Sequence, residues 1–282
     1  MEIRKQSETF ATVDEIVQTM ETVAPTALQE QWDNSGLLVG FAGGRIRRIL
    51  TCLEIDRAVL EEAKERGADM IVTHHPLIFH EIKTLHSEEY GNGLIMDLIG
   101  AGISVYSCHT PFDKVKGGNN DLLAKRLGLV SVKNLKGAEV ESPSKMIEKQ
   151  DEADMGRTGK FKKPMRYRQV IEWVAKRLDL SIRQLHAVGD LDAEITSMGI
   201  CTGAGAALLE LAADDCDLFL TGDVTYHQAR RALELGICLL DAGHYDTEKY
   251  FAEGMKAKLE KKLGDKVEIF ASERSLDPFQ IL

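Results

Sequence analysis

The chain has 282 residues, 44% hydrophobic and 28% charged, with 35 Lys and Arg against 45 Asp and Glu for a net charge of −10. That length suits one large or two medium domains, and the acidic balance disfavours a general nucleic-acid surface or an anchor on anionic lipid, leaving room only for a local basic groove. No run reaches the roughly 18–20 apolar residues of a membrane span. The opening residues lack the apolar core of a secretory signal, and five scattered cysteines without a CxxC suggest reduced, mostly buried thiols, so the expectation is a cytoplasmic protein.

Thr12 and Glu15 form a capping box for a first helix with Val13, Ile16, Val17 and Met20 on one face, stopped by Pro25. Trp32–Gly36 reads as a turn into a short strand at Leu37–Val39. From Ile46 onward strands and helices alternate: Ile49–Leu53, a helix from Ala58, Met70–Val72, a helix over Ile95–Ile99, Ile103–Tyr106, then a helix over Asp121–Leu127. Such alternation predicts an α/β fold with a mainly parallel sheet. Residues 139–163 are polar and poor in large apolar side chains, which predicts a linker or exposed arm. After Pro164, Tyr167, Val170, Ile171, Val174 and Leu178 mark one helical face. The expected division is a first α/β domain over 1–132, a linker or arm over 133–164, and a second α/β domain over 165–282. The last helix, carrying Phe251, Met255 and Leu259, is allowed to pack back on the first domain.

The second half echoes the first. Ile200–Thr202 parallels Leu50–Cys52, Cys216–Thr221 parallels Ala68–Thr73, and Gly236–Leu240 parallels Gly102–Tyr106. Each last strand of a set is followed by a histidine and, four residues later, a carboxylate: His109 with Asp113, His244 with Glu248. This suggests two similar α/β domains arising by internal duplication.

Only eight histidines occur, and five lie between His74 and His109. Thr73-His74-His75-Pro76 follows an apolar strand directly, where α/β sheets bind their ligands. Neighbouring side chains on an extended strand point to opposite faces, so tandem histidines imply either a bend or two different partners, such as one metal ion each. His109 with Asp113 and His244 with Glu248 stand at two further strand ends. Three histidines and two carboxylates fill two mixed nitrogen and oxygen shells if one carboxylate bridges and water completes each. Imidazole in the shell suits Zn, Mn, Fe, Co or Ni better than Mg or Ca alone. Thr202-Gly203-Ala204-Gly205 opens a helix and reads either as a phosphate-binding turn or as a plain tight turn. Asp223, matching the tandem histidines in the repeat, is expected to face the same cleft. His80, His86 and His186 have no supporting pattern and read as non-ligands; Trp32 and Trp173 read as packing residues.

Together the blocks WDNSGLLVG, GADMIVTHHPLIF, HTPFD, GGNNDLLAKRLGL, CTGAGA, TGD and GHYDTE resemble the "NGG-one interacting factor three"-like family of dinuclear-metal proteins, also known as GTP cyclohydrolase I type 2 homologs. The resemblance implies metal ligands at His74, His75, Asp113, His244 and Glu248, with His109 beside the metals rather than on them, suited to proton transfer. It also implies two α/β domains with the metals in the cleft between them, and a homohexamer. The activity implied is a metal-dependent hydrolysis that opens the imidazole ring of a guanine nucleotide at C8 and releases formate. Phosphoester hydrolysis, and metal handling or regulatory protein interaction without turnover, are the alternatives. A nucleotide or other anionic small molecule is the expected partner, with neither membrane nor direct nucleic-acid binding.

Overall fold

A computed structural model describes residues 9–135, 154–274 and 277–281. The chain divides into two compact units, Met1–Phe112 with Phe251–Leu276, and Asp113–Tyr250 with Asp277–Leu282. Residues 113–134 belong to the second unit, and the last long helix with the strand after it belongs to the first.

Unit 1 begins with strand β1 (Ala11–Thr12) and helix α1 (Val13–Val23), which the expected box caps: the Glu15 amide donates to Thr12 Oγ1 at 3.2 Å and the Thr12 amide to Glu15 Oε2 at 2.7 Å. Strands β2 (Gly36–Val39), β3 (Arg45–Ile46) and β4 (Arg48–Cys52), helix α2 (Arg57–Arg66), strand β5 (Met70–Thr73), helix α3 (Tyr90–Gly100) and strand β6 (Ser104–Ser107) follow. Helix α4 (Thr110–Lys114) contains the division between units. In unit 2 come helix α5 (Asn119–Leu127), strands β7 (Val130–Asn134) and β8 (Arg157–Arg166), helix α6 (Tyr167–Leu178), strands β9 (His186–Val188) and β10 (Glu194–Ile200) and helix α7 (Leu209–Asp215). Strand β11 (Leu218–Thr221), helix α8 (Tyr226–Leu235), strand β12 (Cys238–Asp241) and helix α9 (His244–Glu248) complete it. Helix α10 (Phe251–Leu263) and strand β13 (Glu268–Ala271) return to unit 1.

The unit 1 sheet runs β13–β4–β5–β6–β2, parallel except for β2. Its β4 to β6 strands are buried on both faces, as parallel strands covered by helices must be. One core joins Leu50, Ile71 and Val105 to Val59 and Leu60 of α2 and Leu94 and Leu98 of α3. The unit 2 sheet runs β7–β8–β10–β11–β12–β9, parallel from β10 to β12 and antiparallel elsewhere. Two cores lie around it, one including Tyr167, Val170 and Val174 of α6, the other including Leu209 of α7 and Ala232 of α8. Both units thus contain three adjacent parallel strands with one antiparallel neighbour on the third. Asp69 and Asp217 play matching parts: each carboxylate accepts from two consecutive amides at or before the first parallel strand, Arg47 and Arg48 in one unit and Thr196 and Ser197 in the other.

The polar segment departs from expectation. Residues 136–153 lie outside the described residues, but Arg157–Arg166 is an interior strand, not an arm. Its charges mostly face outward, and Arg157 is the exception. Pro164 is tolerated because β8 and β10 lose register there, pairing Lys160 with Ser197 and Met165 with Ile195, so the missing amide removes no ladder bond. All five cysteines are thiols and four are buried, as expected. Among the described residues, no helix is long and apolar enough to cross a membrane.

Candidate metal-ligand clusters

In unit 1 the parallel strands β4, β5 and β6 end on one edge, where they deliver Glu54, His74 with His75, and His109. The backbone of the tandem pair still follows the ladder, His74 N donating to Cys52 O at 3.1 Å and His75 N to Leu53 O at 2.9 Å. The chain nevertheless bends, for the two rings lie 5.1 Å apart and tilted by 39°. His74 is fully buried against Phe251, ring centroids 4.9 Å apart. His109 stands edge-on to His74 at 5.0 Å, and donor nitrogens of His74, His75 and His109 lie within 4.8 Å of one another. Each imidazole is oriented through Nδ1: His74 toward the Cys108 carbonyl at 3.0 Å, His75 toward Glu54 Oε2 at 3.1 Å, His109 toward Asp33 Oδ1 at 2.8 Å. An acceptor opposite Nδ1 requires the proton there and places the lone pair on Nε2, the arrangement that orients histidine ligands in metal sites.

Asp33 is itself held firmly. Its side chain is 0% exposed, and it accepts from Ser35 Oγ, from the Thr110 amide at 3.1 Å and from Thr110 Oγ1 as well as from His109. Burial alone would raise its pKa, but the His109 bond and charge and the two hydroxyls outweigh it and lower it to about 2. Sequence reading placed Asp33 in a turn and passed over its partner, which stands 76 residues away. Glu54 was passed over too, although its place just past β4 was a usable signal.

In unit 2 the corresponding edge carries Thr202-Gly203 after β10, Gly222-Asp223 after β11 and Gly243-His244 after β12. His244 opens α9 with Nδ1 on Asp223 Oδ2 at 2.7 Å and Nε2 on Glu248 Oε2 at 3.0 Å. A proton must lie between that nitrogen and that oxygen; a cation bound by both would displace it. Carboxylate oxygens of Asp113 and Glu248 come within 4.8 Å of each other, and both residues are buried. Asn119 Nδ2 donates to Asp113 Oδ1 at 2.9 Å and Thr202 Oγ1 lies 3.4 Å from the same oxygen, while Asn120 Nδ2 holds the Asp113 carbonyl at 3.0 Å. Gly222 admits the backbone of Gly243 and His244, whose atoms would stand 2.6 Å from a Cβ there. Asp223 then takes the left-handed conformation, φ 54°, that aims its carboxylate at His244.

Cys108 N bonds to Thr73 O as Ala242 N bonds to Thr221 O, so the register matches Thr110 with His244 and leaves His109 one residue nearer its strand. The two His-to-carboxylate spacings are therefore alike in sequence but not in place. The Thr202–Gly205 turn does not offer a phosphate cradle: the Thr202 amide goes to Asn120 Oδ1, that of Gly203 to Thr247 Oγ1 and that of Gly205 to Thr221 Oγ1. It packs instead beside Glu248 and His244. Trp32, read from the sequence as a packing residue, is 58% exposed. His80, His86 and His186 are exposed, and the clusters found among the described residues do not include them.

A family model described as Duf34/NIF3 (NGG1p interacting factor 3) matches residues 11–278. A "GTP cyclohydrolase 1 type 2 homolog" from Clostridium perfringens is 34% identical over 271 residues, covering 96% of this chain and 99% of that protein. A "GTP cyclohydrolase 1 type 2" from Helicobacter pylori strain J99 is 35% identical over 248 residues, covering 86% and 89%. The crystal structure of a Staphylococcus aureus hypothetical protein superposes with a TM-score of 0.87 at 26% identity, covering 96% of this chain and 99% of that one. With the matched model spanning nearly all of the sequence, the chain belongs to the Duf34/NIF3 (NGG1p interacting factor 3) family.

Proposed function

We propose that this chain is a dinuclear-metal-dependent hydrolase of guanine nucleotides. In this reading His74, His75, Asp113, His244 and Glu248 hold two divalent cations, drawn from Zn, Mn, Fe, Co and Ni. The proposed assembly is a homohexamer, and the two units descend from one duplicated βαβαβ design, a view supported by their shared strand order and by the matching roles of Asp69 and Asp217.

The observation that carries the reading is the orientation of the imidazoles: His74 and His75 each give Nδ1 to an oxygen, which leaves the lone pair on Nε2, and His244, with Nδ1 on Asp223, would offer Nε2 once a cation displaced the proton shared with Glu248. Nitrogen with carboxylate oxygen is a donor set that fits the proposed cations. When bound, two such ions lower the pKa of a water toward neutrality and polarise the bond under attack. The protein's own groups do the rest. Asn119 and Thr202 fix the Asp113 carboxylate, Glu54 and Asp223 fix two imidazoles, and Asp33 turns His109 so that Nε2 can take or return a proton. The names of the Helicobacter pylori and Clostridium perfringens relatives support GTP as substrate. In the reaction proposed, water adds at C8 and opens the imidazole ring, and a second water releases formate. One observation favours the second reading, metal handling without turnover: the amides of Thr202, Gly203 and Gly205 are engaged internally.

The test is formate release from GTP by the metal-loaded chain beside the Asp113→Ala, Glu248→Ala double variant. The wild type should turn over well above the variant. Equal rates would overturn the hydrolase and leave the metal-handling reading.

A further inference from the structure

Beside the unit 1 histidines stands an aromatic pair that the site as described does not use. Trp32 is 58% exposed and Phe79 41%, although tryptophan ordinarily buries most of its surface. Their ring centroids are 6.1 Å apart with an interplanar angle of 43°, and Trp32 meets His109 edge-on at 5.7 Å. Exposure here does not mean looseness. On one side of Trp32, the Asp33 amide bonds to Glu30 O at 3.0 Å and the Asp33 carboxylate is locked as described. Asn34 Nδ2 reaches across to the Ile78 carbonyl at 2.6 Å, tying the Trp32 turn to the loop that carries Phe79. Leu77 anchors that loop in the unit 1 core. Two rings held rigidly in water, at an open angle and next to the histidine that would move the proton, form a platform for a third flat ring.

We propose that Trp32 and Phe79 form the subsite for a planar heterocyclic base, stacking the substrate's purine so that it lies beside His109. The inference rests on the hydrolase reading for its choice of purine. It gives that reading a specificity element: the flat ring of the substrate is what this unit recognises.

The test is calorimetric binding of GTP and of inorganic triphosphate to the metal-loaded chain and to Trp32→Ala, Trp32→Phe and Phe79→Ala. Base stacking on an aromatic side chain predicts that Trp32→Ala weakens GTP by ~10-fold to ~100-fold. Phe79→Ala should weaken it less, Trp32→Phe should retain most of the affinity, and triphosphate binding and metal content should stay unchanged. GTP binding that is absent in the wild type, unaffected in Trp32→Ala, or lost in parallel with triphosphate would overturn the subsite. So would a Trp32→Ala variant that changes only its oligomeric state, which would make the platform an interface between copies. Trp32-dependent GTP binding without formate release would sink the hydrolase reading while the stacking subsite stands.

Discussion

Gly203 offers the sharpest separation of ligand placement from stability. It sits at φ +65°, and a Cβ built there lies 2.4 Å from Glu248 Oε1, 3.1 Å from Glu248 Cδ and 3.2 Å from His244 Nε2. Gly236, in the same unit, has φ +73° and nothing within 4 Å of a Cβ. Alanine at either position meets the same left-handed backbone penalty, about 1–2 kcal/mol, which for a chain of this size lowers Tm by roughly 2–8 °C. Only Gly203→Ala also drives a carboxylate oxygen aside, by about 1 Å to restore ordinary contact, more than the ~0.2 Å tolerance of a metal–ligand distance. Because the Glu248 tip is the end of a flexible side chain, the collision should read out as lost metal more than as lost stability. The assay is thermal unfolding of both chelated variants, followed by metal analysis of both after reconstitution. Gly203→Ala should melt close to Gly236→Ala yet retain markedly less metal. Equal metal retention in the two variants would refute the placement of Glu248 as a ligand.

Asp33 links stability to pH. A carboxylate whose pKa falls from 3.8 to about 2 on folding stabilises fully above 3.8, and loses that contribution as pH falls toward 2. Asp33→Asn should therefore be destabilised relative to wild type by about 2 kcal/mol at neutral pH, with the gap narrowing below pH 3.8 in denaturant titrations; a gap constant with pH would contradict the assignment. Arg157 is 3% exposed and binds Asp121 and the carbonyls of Lys114, Val115, Asp154 and Gly156, closing the loop that follows Asp113. Arg157→Ala should cost roughly 3–5 kcal/mol in urea unfolding, and Arg157→Lys should recover only part because an ammonium cannot fork; a neutral alanine variant would show that the network is ornamental to folding.

What was legible in sequence was what local chemistry writes down. The parallel strands at Arg48–Cys52, Met70–Thr73 and Leu218–Thr221 are buried on both faces and hence appear as unbroken apolar runs. Their carboxyl ends follow from the alternation of strands and helices, so the histidines and carboxylates could be set on two sheet edges before any coordinates. Arg157–Arg166 was missed because its charged residues and Pro164 suit a loop, and only the bulge against β10 makes that proline compatible with a strand. Strands as short as His186–Val188 and Glu268–Ala271 carry too few residues to show alternation. Asp33, Glu54 and Asn119 owe their roles to partners that folding brings to them, and no spacing rule joins Asp33 to His109. The echo between the two halves was visible, yet the one-residue offset between His109 and His244 needed the backbone register to be seen.

Metal content tests the central claim most directly. Elemental analysis of the chain purified without chelators should find about two divalent ions per chain, by the two-metal arrangement proposed for His74, His75, Asp113, His244 and Glu248. One ion per chain, or none, would contradict it.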